Sequence, residues 1–197
     1  MPLYDFRLRF NVPEAYRINS DAHKIELLKL PSGEHITLVS GGIGTPIKDH
    51  NRAAILGKLF ASEEQARAAA EKSKLALLYW AIEQRLGMDF GDGKQRSGFT
   101  KAGLAMLQKQ QGCPVRNDIH GIDVYEHVEK LKFFSFTAEA TVGKHPPKLI
   151  DTFQREYLHS RQLTEKQVLA SEIYASSFFD ISARSRFITL VTAVEAL

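Results

Sequence analysis

Tyr4-Asp5-Phe6-Arg7-Leu8-Arg9-Phe10 is the stretch that decides the fold of this 197-residue chain. Apolar side chains alternate with charged ones, so the pattern has a period of two. That period is typical of a β-strand with one apolar face and one solvent-exposed face. The stretch therefore predicts a sheet whose apolar face must pack against another element of the fold.

Further strands are predicted on the C-terminal side of this first one. Pro31-Ser32-Gly33-Glu34 lies between two of them and predicts a hairpin turn. We expect the strands to pair in one antiparallel or mixed sheet. The further runs are Lys24 to Leu30, His35 to Ser40, Arg52 to Phe60, Gly121 to Val128 and Phe133 to Val142.

One long helix is predicted to cover the apolar side of the sheet. Ser62 and Gln65 have the spacing of a capping box, which predicts the helix start. The helix should end near Leu86, with Gly87 as its left-handed stop. Its predicted buried positions are Leu75, Leu77, Leu78, Tyr79, Trp80, Ile82 and Leu86. A shorter helix is predicted from Thr100 to Gln110.

The composition changes at Lys144-His145-Pro146-Pro147, where two prolines cannot continue a strand. Helices are predicted after this point: Lys148 to Ser160, a second from a Thr164–Gln167 capping box, and a third from Ser182. The fold class is therefore α+β. We expect an α+β module at residues 1–145 and the start of a helical bundle at residues 148–197.

The last predicted helix carries an apolar stripe of Phe187, Leu190, Val191 and Val194. No Gly, Asn or Pro closes it before Leu197, so we expect these 197 residues to be the front part of a longer protein. The stripe also needs an apolar cover. Pairing with a second copy through the C-terminal helices is expected, and the alternative is that the stripe folds back onto the α+β module.

The composition is that of a folded chain with 44% apolar residues and a net charge of +3. One cysteine, Cys113, gives no internal disulfide, and no signal peptide or membrane-spanning run is present in the sequence. A cytoplasmic location is expected. The charge is compatible with RNA binding but does not argue for it.

Asp118, His120, Asp123 and His127 form the densest group of potential metal ligands. Residues two apart on a strand share a face, which suits Asp118 with His120, but Asp123 and His127 do not extend that set. A turn at Asn117-Asp118 followed by an ordinary strand is the favoured interpretation. We therefore expect no metal and no cofactor.

Other motif-like strings have simpler explanations. Asp89-Phe90-Gly91 matches the magnesium tripeptide of protein kinases, but the other kinase motifs are missing and a turn is favoured. Gly41, Gly42 and Gly44 follow a strand as a phosphate loop would, but no Lys-Ser or Lys-Thr follows. Cys113 has no Cys or His at ligand spacing, and a reactive thiol is the minor alternative.

Three basic side chains and one histidine are candidate RNA contacts. Arg155 and His159 lie four apart on a predicted helix and share a face, where they can bind phosphate and transfer protons. Arg184 and Arg186 lie at the start of the last helix and can contact phosphates. A solvated helix face is the favoured interpretation for both pairs.

The segments Leu169 to Phe179 and Ala183 to Leu197 resemble the opening helices of bacterial HEPN domains. The likeness covers about residues 165–197 and rests on Tyr174-x-x-Ser177 and on Arg186-Phe187-x-x-Leu190-Val191-x-Ala193-x-Glu195-x-Leu197. It implies a helical bundle that pairs with a second copy. Many members are metal-independent endoribonucleases with an Arg-x4-6-His motif, which this chain lacks. Glu195 matches a polar position of the pattern, where it would support the Arg.

Two functions follow from these expectations. The first is the sensor or regulatory front of a HEPN-type ribonuclease in a defence or toxin-like system, with the front part itself inactive. There, a 2′-hydroxyl would attack the adjacent phosphate while His moves the proton and Arg stabilises charge. The second is a non-catalytic module that binds a ligand or protein and dimerises through its helical tail.

Overall fold

The computed structural model describes residues 2–13, 16–42, 44–93, 99–134, 143–144, 146–159, 163–179 and 183–196. Short 3-10 turns lie at Ile47–Asp49 and Ser177–Phe179. In chain order the elements are β1 (Tyr4–Asn11), β2 (Arg17–Ile18), β3 (Lys24–Lys29), β4 (His35–Ser40), β5 (Arg52–Phe60), α1 (Glu63–Gln84), α2 (Lys101–Gln111), β6 (Val115–Asn117), β7 (Gly121–Glu126), β8 (Lys132–Phe134), β9 (Gly143–Lys144), α3 (Pro146–His159), α4 (Glu165–Ser176) and α5 (Ala183–Glu195).

The predicted α+β class is confirmed, since the strands build a five-stranded antiparallel sheet in the order β3-β4-β5-β1-β7. The predicted hairpin is formed by β3 and β4. The first strand, β1, lies between β5 and β7, and Arg7 is opposite Leu56 on one side and Asp123 on the other. The stretch with the clearest alternation therefore occupies an interior strand.

The two faces of β1 have different surroundings. Phe6, Leu8 and Phe10 are fully buried in the main core, on the side covered by α1. Asp5 and Arg7, on the opposite face, are also buried. Both faces of this strand are thus covered, and the predicted solvent-exposed face is a layer of buried charges.

Helix α1 begins where the sequence predicts, with the Ser62 hydroxyl accepting from the Gln65 amide at 3.2 Å. Its second half is covered on more than one side, because Leu77, Leu78 and Trp80 are all buried. The sheet packs on one side of α1, and α3 and α4 pack on it as well. The helix is therefore central to the core.

The predicted stop of α1 is wrong by two residues. Arg85, with a φ of 49°, is the left-handed residue that ends the helix, and Gly87 is not. Gly87 instead allows a close approach. A Cβ there would lie 2.8 Å from Pro13 Cγ and 2.9 Å from Phe178 Cβ. This glycine thus lets the N-terminal segment meet the turn after α4.

Helix α3 adds to the core of the α+β part. Leu149, Phe153 and Tyr157, predicted at helical spacing, are buried, and they belong to the same apolar cluster as the inner face of the sheet. The Gln154 side-chain amide also donates to the Leu27 carbonyl on β3 at 2.8 Å. The boundary at residue 145 stays a prediction, but the apolar core continues across it.

The pairing predicted for the last strand is wrong. β8 does not join the large sheet but pairs in parallel with β6, opposite Val115 to Asn117. β2 and β9 form a second small parallel pair. Most of the predicted Phe133 to Val142 strand, residues 135–142, lies outside the described residues.

Helices α4 and α5 pack on each other, and α4 also packs on α1. The predicted capping box is confirmed, because Thr164 accepts from the Gln167 amide and the Gln167 side chain accepts from the Thr164 amide.

Among the helices in the described part of the chain, none is long and apolar enough to cross a membrane.

Candidate functional site

The polar face of β1 carries a cluster of charges that we call the ionic layer. It lies opposite α1, under the small β6–β8 pair. The layer consists of Asp5, Arg7, Arg9, Arg116, Asp118, Asp123 and His127.

The centre of the ionic layer is a carboxylate shared by two guanidinium groups. The Arg7 Nε donates to Asp118 Oδ1 at 2.9 Å, and Arg7 Nη2 lies 2.8 Å from the same oxygen. Arg9 Nη1 donates to the Asp118 carbonyl at 3.1 Å. The side chains of Arg7 and Asp118 are only 7% and 4% exposed. Buried charges of this kind need their partners, since an unpaired one is costly.

A second pair lies beside the first. Arg116 binds Asp123 through both carboxylate oxygens, at 3.0 and 3.2 Å, in a two-pronged geometry. Burial raises the pKa of the Asp123 carboxyl, although Arg116 opposes the shift. Arg116 stacks 5.2 Å from the Tyr125 ring, and Arg7 stacks 4.6 Å from the Phe133 ring. Burial also raises the pKa of Tyr125.

Asp5 and His127 close the layer at its other end. Both carboxylate oxygens of the buried Asp5 lie within 3.0 Å of His127 Nδ1, which must be the donor to an ionised carboxylate. Asp5 also accepts from the Leu59 amide at 3.0 Å, and Leu59 has a φ of 69°. This bond accompanies a bulge between β1 and β5. The arrangement orients the imidazole and leaves Nε2 without a described partner.

The four residues considered as metal ligands each have a different partner. Asp118 binds Arg7, Asp123 binds Arg116 and His127 binds Asp5, while His120 Nε2 lies 3.0 Å from the Asp89 carbonyl. Within the described ranges, no group of three potential ligands comes together. The chemistry of the layer is therefore ion pairing between strands.

The two glycine-containing strings are turns held by side chains. The Asp89 carboxylate accepts from the Gly91 amide at 2.9 Å, as in the favoured turn interpretation. In the other loop, Thr45 Oγ1 lies 2.7 Å from His50 Nε2. A Cβ at Gly42 would lie 2.1 Å from that nitrogen, so a larger residue there would displace the His50 ring. Cys113 is a half-buried free thiol between α2 and β6.

Arg155 is engaged in a network between α1 and α3. Its guanidinium lies 2.6 Å from Glu83 Oε1 and donates to Glu156 at 2.8 Å. Thr152 donates to the other oxygen of Glu83 at 2.6 Å. The His159 side chain lies outside the described part, so the predicted Arg155–His159 pair is not tested.

The largest exposed apolar surface among the described helices lies on α5. We define the apolar face of α5 as Phe187, Ile188, Val191 and Val194, whose exposed fractions are 67%, 56%, 39% and 70%. Ala193, on the other side of the helix, is buried. Three residues of the predicted stripe, Phe187, Val191 and Val194, belong to this outward face, whereas the fourth, Leu190, is half-buried.

The charged residues predicted near this helix have separate positions. The Arg186 guanidinium stacks 4.3 Å from the Phe178 ring. Arg184 lies in the first turn of α5, and its side chain is outside the described part. Glu195 is exposed at the last position of α5. The two arginines and Glu195 therefore lie at opposite ends of one helix.

Four residues of the ionic layer were not singled out as site candidates from the sequence, namely Asp5, Arg7, Arg9 and Arg116. Asp5 belongs to the alternating stretch, and the period of two places it with Arg7 on one face. No local signal identifies Arg116, because its partner Asp123 lies on a strand of another sheet.

Family models, curated proteins and solved structures gave no significant match to this chain.

Proposed function

We propose that this chain is an assembly and sensor module in which α4 and α5 bring two copies together. The observation that supports the proposal is the apolar face of α5. Phe187 and Val194 are each at least two-thirds exposed, and burying such side chains is worth about 1.5–3 kcal/mol each. A contiguous exposed patch of this kind marks an interaction surface.

The rest of the molecule serves as the scaffold in this proposal. Ion pairs of the ionic layer connect β1 with β7 and with the β6–β8 pair. The apolar core packs the sheet against α1 and α3. Helix α4 connects α5 to this scaffold through α1 and through the Lys74–Glu172 ion pair. A ligand or protein that binds the α+β part would thereby act on the pairing helices.

Sedimentation velocity across the micromolar range tests the pairing. We expect the wild-type protein to dimerise and the Leu190→Glu, Val194→Glu double variant to stay monomeric. Because Val194 is exposed and Leu190 only half-buried, the double variant should fold, which circular dichroism checks. A wild-type protein that remains monomeric at the highest concentration would contradict the proposal.

The likeness of residues 165–197 to HEPN domains supports a more specific proposal. The module would be the regulatory N-terminal part of a metal-independent endoribonuclease of a defence or toxin-like system, acting on RNA in the cytoplasm. The formation of α4 and α5 as adjacent helices is what such a bundle requires. In this proposal the Arg and His of the catalytic Arg-x4-6-His motif are not residues of this chain. Glu195 would contact that Arg and help to position it.

Incubation of this chain with total RNA, in EDTA and in magnesium, tests the second proposal. We expect no cleavage under either condition, because Arg155 is held by Glu83 and Glu156. Turnover that disappears in His120→Ala, His127→Ala or His159→Ala would contradict it, since the site would then lie in this chain. Arg184→Glu with Arg186→Glu tests the predicted RNA contacts by their effect on RNA affinity.

A further inference from the structure

The outer face of β3, β4 and β5 is a second polar surface of the large sheet. It lies on the side opposite to α1, where alternate residues of each strand point away from the core. The half-buried Thr37, Val39 and Leu56 form the floor of a cleft of about 350 Å³ on this face. We call this surface the basic cleft. Its charged and titratable residues are Lys24, Glu26, Lys29, His35 and Lys58.

Three basic residues lie in one row across the basic cleft. Lys29 is opposite His35 in the β3–β4 pair, and His35 is opposite Lys58 in the β4–β5 pair. Directly opposed residues on a sheet point to the same side, so the two lysines flank the histidine. With about 4.8 Å between neighbouring strands, the row is about 10 Å wide. Such a concentration of positive charge opposes folding, and a bound anion would relieve it.

The charge of this row is not neutralised from within the described ranges, where no ion pair includes Lys29, His35 or Lys58. Glu34 is next to His35 in the chain but is directed to the other side of the sheet. Burial raises the pKa of Tyr157 on α3, and the charge of Glu34 adds to this shift, so Glu34 lies on the side of the core helices.

Glu26 is the acidic residue at the centre of the basic cleft. It is exposed and lies opposite Thr37, so the carboxylate and the hydroxyl are on the same side of the sheet. Lys24 lies at the far end, opposite Val39. Val39 is four residues from His35, so Lys24 is about 13 Å from the row at 3.3 Å per residue. The cleft thus has cations at both ends and hydrogen-bonding groups between them.

We infer that the basic cleft binds the sugar–phosphate backbone of single-stranded RNA. The row and Lys24 are far enough apart to contact different phosphates of one strand. The central carboxylate of Glu26 favours RNA over DNA or an acidic peptide, because a ribose 2′-hydroxyl can donate to it whereas a peptide carboxylate is repelled. The inference rests on the proposed action on RNA, for which it names a binding surface, and it does not depend on the pairing of α5.

The lining of the basic cleft determines the mode of binding. Among the described residues that line it, none is Phe, Tyr or Trp, so bases would not stack on this face. Binding therefore depends on contacts to phosphate and sugar. Such contacts make the affinity independent of base sequence and sensitive to salt.

Fluorescence anisotropy of a short labelled oligouridine, titrated with the full chain at several salt concentrations, tests this inference. In a plot of log affinity against log salt, we expect a slope of about −2, because each of three lysine–phosphate contacts contributes about −0.7. Lys29→Glu with Lys58→Glu should weaken binding by about ten-fold or more and flatten the slope. Lys29→Arg with Lys58→Arg should retain the affinity, because the charges are kept.

Lys101→Glu with Lys109→Glu is the matched control. It makes the same change in net charge at exposed positions of α2, which packs on β6. Its affinity for RNA should stay within about two-fold of wild type, since salt screens distant charges. Circular dichroism checks that each variant folds, and Lys24→Glu at an exposed position should weaken binding without any effect on the fold. Equal losses in the two double variants would overturn the basic cleft as the site.

The role of Glu26 is tested with the deoxy form of the same oligonucleotide. Wild type should bind the RNA about three- to ten-fold more tightly, which is the effect of one hydrogen bond, and Glu26→Ala should remove this preference. Equal affinities of wild type for the two oligonucleotides would overturn the contact to the 2′-hydroxyl. Polyglutamate that competes as well as unlabelled RNA would overturn RNA as the ligand in favour of an acidic protein.

The outcomes separate this inference from the proposed function. RNA affinity that is lost in Arg184→Glu with Arg186→Glu but kept in Lys29→Glu with Lys58→Glu overturns the basic cleft and leaves the action on RNA in place. Failure to bind RNA at low salt overturns both RNA proposals, whereas sedimentation tests the pairing of α5 separately. A loss of affinity confined to the variants of the basic cleft supports the inference.

Discussion

Asp118 Oδ1 accepts a hydrogen bond from Arg7 Nε at 2.9 Å, although the two residues are 111 positions apart in the chain. Arg7 lies on the interior strand of the large sheet, and Asp118 lies in the turn between β6 and β7. The contact therefore connects the first strand to the segment that covers its polar face. Because both side chains are almost fully buried, removing either one would leave the other as an unpaired buried charge.

Asp118→Ala should reduce the free energy of unfolding by about 3–5 kcal/mol, because it leaves a buried guanidinium without its counter-charge. Urea unfolding followed by circular dichroism measures this loss. Asp21→Ala is the control, since Asp21 pairs with Lys48 at the exposed surface, and the midpoint should not move. Equal effects of the two substitutions would mean that the ionic layer is not needed for stability.

Gly87→Ala should destabilise the protein, because a methyl group there would lie within 3.0 Å of Pro13, Phe178 and Phe179. Gly103→Ala is the matched control. A Cβ there would have only ordinary contacts of 3.5 Å or more in the first turn of α2, and alanine is favoured over glycine in a helix by up to about 1 kcal/mol. Thermal unfolding should therefore show a lower midpoint for the first variant and an equal or higher one for the second.

Local patterns predicted the elements and the β3–β4 hairpin, but not the partners of the other strands. The alternation in β1 correctly separates the core residues from the charged ones, because side chains on a strand point to opposite faces in turn. That β1 lies between β5 and β7 depends on pairing across the whole chain, which no local pattern encodes. The same limit explains why Phe133 to Val142 was expected in the large sheet.

The misassigned stop of α1 and the resemblance of one sequence cluster to a metal site have the same cause. Gly87 has the composition of a helix stop, but its role is a contact with Pro13, which lies far away in sequence. Asp118, Asp123 and His127 are close together in sequence and resemble a ligand set. Their actual partners, such as Arg7 and Asp5, come from a strand more than 100 residues earlier.

The stability of the α1–α3 contact should depend on pH through Glu83. Burial would raise the pKa of this carboxyl, but hydrogen bonds from Thr152 and Arg155 outweigh it and hold the pKa below the ordinary value of 4.5. The folded state thus favours the ionised form. Its contribution is complete above the unfolded-state pKa and is lost as the pH falls through the lower folded-state pKa.

Glu83→Gln measures this contribution, because it removes the charge and keeps the shape. We expect wild type to be more stable than the variant near pH 7 and the difference to disappear in acid, below about pH 4. Thermal unfolding of both proteins across this range checks the expectation. A difference that stays constant with pH would show that the Glu83 charge has no role.

Phe153→Ala tests whether the core extends past the predicted boundary at residue 145. Phe153 is fully buried on α3, in the same cluster as the inner face of the sheet, and its ring stacks on Tyr157 at 5.7 Å. Its removal should cost about 3–5 kcal/mol of the free energy of unfolding. Leu158→Ala on the same helix is the control, because Leu158 is largely exposed and its loss should have little effect. If the whole protein unfolds in one transition whose midpoint falls only in Phe153→Ala, α3 belongs to the first module. If the protein instead unfolds in two transitions and Phe153→Ala lowers the midpoint of only one of them, leaving that of the sheet unchanged, the module ends at residue 145.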